Sequence, residues 1–164
     1  MKKFIILLFI ILPLGLMAQE KMAYVNAGEV FSKMPENSKI ENELVALQEK
    51  YTAELKIMQD EYTRKTSDYI AQQDSLTENI KVRRMQEIEE IRARTENFVT
   101  VAQQDMEKKR QELWMPVQEK IQKAIKDVGD EKGYTYIFDP QVFLYVSPNA
   151  VDATPFVKAK LGLQ

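Results

Sequence analysis

Residues 36–115 read ENSKIENELVALQEKYTAELKIMQDEYTRKTSDYIAQQDSLTENIKVRRMQEIEEIRARTENFVTVAQQDMEKKRQELWM, without a single glycine or proline, although the 164-residue chain contains 5 of the first and 6 of the second elsewhere. In a helix interior these residues cost about 1 and about 3 kcal/mol relative to alanine, so so long an interval without either predicts long continuous helix. Pro35 stands just ahead of it, well placed for the first turn. Ile40, Leu44, Leu47, Tyr51, Leu55, Met58 and Tyr62 step by threes and fours, the a/d seam of a coiled coil. The seam thins after Tyr69, where residues 70–75 are short and polar, and resumes at Ile80, Ile88, Ile91, Thr95, Phe98 and Ala102. Folding the chain back near residues 72–76 sets Tyr62 opposite Ile88, Leu55 opposite Thr95, Tyr51 opposite Phe98 or Val99, and Leu44 opposite Met106. The expected shape is an antiparallel helical hairpin with arms of roughly 55–60 Å. One straight helix of roughly 120 Å is the alternative, and the lack of a glycine at the turn favours it.

The flanks read differently. Residues 21–26 suggest a short strand centred on Tyr24 and Val25, followed by a turn or short helix through Gly28 and Phe31. Beyond the hairpin, Pro116 should kink the returning helix without ending it, and Val117, Ile121, Ile125 and Val128 keep helical spacing. Trp114 is expected to anchor the joint between arm and body. Gly129 and Gly133 are expected to stop the helix, with strands at residues 134–139 and 142–146 joined across Pro140 and Gln141. Thr154 as N-cap and Pro155 at the first position predict a last short helix to Leu161, before Gly162. The fold class is therefore α+β: a helical arm over residues 36–115 on a β-rich body made of residues 19–35 and 116–164. Three short strands are marginal alone and leave edges open to pairing. A homo-oligomer joined through the strands is expected, with Tyr24, Val25, Ile137, Phe138, Leu144 and Tyr145 as contacts.

Residues 1–18 read as a secretory signal: Lys2 and Lys3, the apolar run from Phe4 to Leu12, and a cleavage region ending at Ala18. The apolar run is short of the roughly 20 residues a membrane-spanning helix needs. With no cysteine, lipid attachment through a cysteine and disulfide formation are both ruled out, which suits an oxidising periplasm. The net charge is −2, and loss of Lys2 and Lys3 makes the mature chain more acidic still, against the basic footprint of a nucleic-acid binder. With neither histidine nor cysteine, the commonest general base, thiol chemistry and the usual zinc ligands are missing. Nucleophile elbows and phosphate loops need glycines that the chain lacks. Glu87, Glu89 and Glu90 point in different directions on a helix and read as a solvated face. No enzyme activity, cofactor or metal is expected.

KMAYVNAGEVF near the start, MPVQEKIQKAIKDVGDEKGYTYIFDP after the hairpin and LYVSPNAVDATPFVKAKL at the end, in this order of elements, resemble the Skp/OmpH family of periplasmic chaperones. The resemblance implies a trimer: a small barrel of strands from three subunits, with helical hairpins enclosing a cavity. It further implies ATP-independent holding of unfolded outer-membrane β-barrel precursors. Members of the family are often strongly basic, whereas this chain is acidic overall.

An unfolded client needs apolar groups that the folded protein leaves accessible. Val45, Ile57, Ile70, Val82, Val99 and Val101 lie off the seam and are the candidates for a cavity wall, or alternatively for a wider buried stripe. The arm tip is locally basic, with Arg64, Lys65, Lys81, Arg83 and Arg84 against Asp68, Asp74 and Glu78. Such a tip could steer acidic clients or touch anionic lipid head groups transiently, or be an ordinary solvated face. A structural coiled-coil protein of the envelope and an export-system adaptor remain the competing functions.

Overall fold

The computed structural model describes residues 21–163, so the signal reading of residues 1–18 lies outside the described residues. In chain order the elements are β1 (Met22–Tyr24), α1 (Ala27–Lys33), α2 (Pro35–Gln72), α3 (Glu78–Lys132), β2 (Tyr136–Phe138), β3 (Val151–Asp152) and α4 (Thr154–Lys160). Helix α2 has 38 residues, about 57 Å of axis, and packs against α3, so the straight-rod alternative does not hold. The turn needs no glycine because every residue in it keeps negative φ. A 3-10 turn at Gln73–Ser75 follows α2, and Ser75 Oγ donates to the Gln72 carbonyl at 2.8 Å. Leu76 and Thr77 are then extended, and the Thr77 carbonyl accepts from the Ile80 and Lys81 amides, both at 3.0 Å, to start α3.

Helix α3 has 55 residues and runs through Pro116 into the body. There Val117, Ile121, Ala124 and Val128 are buried with Val30 of α1, Val157 of α4, the capping residues Met34 and Ala153, and Ala23 and Val25 of the β1 segment. Gly129 does not stop the helix, contrary to expectation. It lies inside α3, and a Cβ there would meet Ile137 Cδ1 at 3.4 Å, an ordinary contact, so neither its conformation nor its neighbours require a glycine. The stop is Gly133, in the left-handed region at φ 67°, with the Tyr134 amide returning to the Gly129 carbonyl at 3.0 Å.

The three strands form one parallel sheet in the order β2-β1-β3, with Ala23 paired to both Ile137 and Val151. Parallel neighbours require long crossovers, here supplied by the whole hairpin. The second C-terminal strand was expected at residues 142–146 and instead falls at Val151–Asp152. Pro140 opens a 3-10 turn over Pro140–Val142 that Asp139 caps by accepting from the Gln141 amide at 2.9 Å. Phe143 to Val146 then follow an irregular path. Thr154 is likewise not an N-cap. It is the first residue of α4, and its buried hydroxyl accepts from the Asn26 amide at 3.0 Å, tying the start of α1 to α4.

Candidate functional site: hairpin flanks, tip and open sheet

The seam of the hairpin follows the expected residues, with Ile40, Met58 and Ile91 buried and Leu44, Tyr51, Leu55, Phe98 and Ala102 half-buried between the helices. Tyr51 meets Phe98 edge-on, ring centroids 5.9 Å apart. Ile80, expected to resume the seam, is exposed beside the turn. Polar pairs also join the two helices: Glu36 with Lys120 at 2.7 Å, Glu43 with Lys109 at 3.3 Å, Glu61 with Arg94 at 2.8 Å, and Tyr51 with Asp105. The hydrogen bond from Lys120, above all, holds the Glu36 carboxyl below its ordinary range.

Five of the six cavity candidates, Val45, Ile57, Ile70, Val82 and Val101, are exposed, and Val99 is half-buried. They do not share one wall. Ile57 and Val101 line a groove on one side of the hairpin with Met58, Glu61, Arg94 and Phe98. Val99 lines the opposite side with Thr52 and Gln103, and that side continues at Thr63 and Glu96. Val45 stands one heptad from Thr52, Ile70 one from Thr63 and Val82 two from Glu96, and heptad spacing preserves the face to within about 20° per repeat. Sequence reasoning missed Leu55, Ala102 and Met106 as groove residues, because an a/d seam reads as fully closed.

The five basic residues at the tip do not form a bare positive patch. Lys65, Arg83 and Arg84 converge on the single carboxylate of Glu87 at 3.5, 3.3 and 3.1 Å, and Lys81 lies 3.8 Å from Glu78. Burial pushes the Glu87 carboxyl up, but the hydrogen bond and charge of Arg84 with those of Lys65 outweigh it and hold it below the ordinary range. Arg64 alone of the five has no carboxylate within salt-bridge distance among the described residues.

At the body, the two faces of the sheet differ. Val25 is 2% exposed and packs inside its own subunit, and Ile137 also packs on the core, so the pair expected as contacts point inward. Tyr24 and Phe138 line a cleft of about 180 Å³ on the other face with Met22, Phe143 and Tyr145. Tyr136 stacks on Phe138 at 5.9 Å, and Phe143 meets Phe138 edge-on at 5.0 Å. Leu144, at 109%, is more exposed than a free reference residue, and Tyr145 stands at 75%. Met22, Tyr136 and Phe143 are apolar surface that the sequence did not single out. Trp114 occupies the joint as expected, edge-on to Phe31 with centroids 4.0 Å apart.

This fold is similar to that of a solved OmpH-like structure from Caulobacter crescentus, which matches with a TM-score of 0.73 over 85% of this chain and 82% of that one, at 13% identity. The family model described as "Outer membrane protein (OmpH-like)" matches residues 21–161, and the chain belongs to that family. Proteins named chaperone protein Skp are similar along most of their length. The one from Pectobacterium atrosepticum is 29% identical over 140 residues, 84% of this chain and 82% of its own. That from Photorhabdus luminescens is 29% identical over 150 residues, 89% of each.

Proposed function

We propose that this protein is an ATP-independent periplasmic holdase, exported by residues 1–18, that keeps unfolded outer-membrane β-barrel precursors from aggregating. The observation that carries the reading is the apolar surface left exposed among the described residues of one subunit, on the hairpin flanks and, above all, at Leu144 and Tyr145. An apolar segment beside an open sheet edge is stabilised by pairing with further copies. The body, residues 19–35 and 116–164, accordingly joins three copies, with Tyr24, Phe138, Leu144 and Tyr145 at the contact. The arms, residues 36–115, then surround one client. Valine and isoleucine dispersed on two flanks suit weak, releasable contact, and holding by mass action needs no fuel. The tip adds a weak, salt-screened attraction for acidic clients or anionic lipid, carried by Arg64.

The test dilutes a urea-unfolded β-barrel outer-membrane protein into buffer with and without the mature chain, no nucleotide present, and follows light scattering alongside native mass spectrometry. Suppressed scattering and a complex of three subunits with one client are expected. A chain that leaves the scattering unchanged overturns the reading and points to a structural or adaptor role.

A further inference from the structure

The two helices of the hairpin do not close along their whole length. Ala102 contributes only a methyl group to the seam, beside a cleft of about 340 Å³ lined by Tyr51, Leu55, Phe98, Val99 and Met106. Ligand sites begin at about 300 Å³, so the space suits one bulky side chain and its adjoining backbone. Its chemistry favours an aromatic guest: two rings already meet edge-on at 5.9 Å, and a thioether lies beside them. The rim is polar but carries no uncompensated charge. Glu107 is bonded by Gln111 at 2.9 Å and lies 3.8 Å from Arg110, while Gln48 bonds Thr52 at 3.3 Å. A neutral occupant therefore matches the rim better than a charged one. Towards the tip the same side continues through Gln59 and Thr63. From Gln48 to Thr63 the track is roughly 22 Å long, room for about seven residues of extended chain.

We infer that this cleft is a side-chain anchor: it takes one aromatic residue of a neutral, extended segment of unfolded polypeptide, whose backbone runs along the track towards Thr63. The inference rests on the holdase reading and replaces purely dispersed contact with a defined subsite between the two helices of one arm. An unfolded chain presents its rings on backbone free to extend along such a track, and the occupant is therefore a segment of the client.

The test titrates the mature protein with two fluorescently labelled heptapeptides of serine, asparagine and threonine that differ only in a central phenylalanine or alanine. The phenylalanine peptide is expected to bind about tenfold tighter or more. Ala102→Leu, which fills the cleft, is expected to abolish the difference, and Ala53→Ser, at an exposed position outside the cleft lining, to preserve it. If far-UV circular dichroism shows that Ala102→Leu disturbs the arm, Val99→Phe closes the mouth from outside the seam and decides the matter. No phenylalanine preference, or one that survives the filling variant in a folded arm, overturns the anchor site even where aggregation is still suppressed. Failure of the wild type to suppress aggregation overturns the holdase reading and the anchor with it.

Discussion

Tyr51 and Asp105, 54 residues apart in sequence, meet across the middle of the hairpin, the phenol donating to the carboxylate. That bond keeps the phenol protonated and raises its titration above the ordinary value. Lys126 and Lys160 are raised as well, by the hydrogen bonds they donate to Asp130 and Glu131 respectively. A group whose folded pKa is raised stabilises the fold below its unfolded value and loses that contribution as the pH rises through the folded one. Thermal melts should therefore show Tm falling above about pH 10. Tyr51→Phe should lower Tm at neutral pH and flatten part of the alkaline fall, while far-UV circular dichroism stays helical.

The acid side runs the opposite way. Glu36 and Glu87 both titrate below their ordinary range. Their contributions are complete above the unfolded value and are lost as the pH falls from about 4 through the lowered values. A stability plateau through neutrality should give way below about pH 4, and Lys120→Met should return the Glu36 carboxyl towards its ordinary value in a carbon-detected NMR titration.

Two glycines four residues apart should respond with opposite signs. Gly129 sits in helical backbone with ordinary space before Ile137, so Gly129→Ala should stabilise by about 0.5–1 kcal/mol in urea melts. Gly133 has open space but φ of 67°, so Gly133→Ala should destabilise by about 1–2 kcal/mol.

Thr154→Val keeps the shape of a buried side chain and removes the oxygen that accepts from the Asn26 amide. A stranded donor costs about 1–3 kcal/mol. Urea melts should register that loss, with faster hydrogen exchange at the start of α1.

Leu144 is fully exposed in its own subunit, so Leu144→Asp removes nothing from the fold of one copy. In native mass spectrometry the variant should fall from a three-subunit species to a monomer with unchanged helix content.

The helical part of the fold was legible because its signals are local: seam spacing, Pro35 at a helix start and the polar stretch at residues 70–75. The turn was placed correctly even without a glycine, since right-handed and extended backbone suffices there. Segments whose state depends on remote partners were harder. The run from Val142 to Val146 carries every local mark of a strand, yet no strand among the described residues pairs with it, while the two-residue strand Val151–Asp152 exists because Tyr24 lies alongside. Val25 read as a contact because strand propensity cannot say which face meets the core. The six flank candidates were chosen for leaving the seam, which says nothing about which side of the hairpin they take, and the underpacked stretch at Ala102 leaves no mark on an a/d pattern.

The central position of β1 has a kinetic consequence. Both of its neighbours come from the far end of the chain, so no backbone ladder can begin until the last fifth of the sequence is available. Contacts within the hairpin are nearer in sequence at the turn and can zip outward from there. Once zipped, the arm brings Glu36 beside Lys120, and the loop left to close between β1 and β2 shrinks to the short stretches at its base. The arms thus act first as a template for the assembly of their own root.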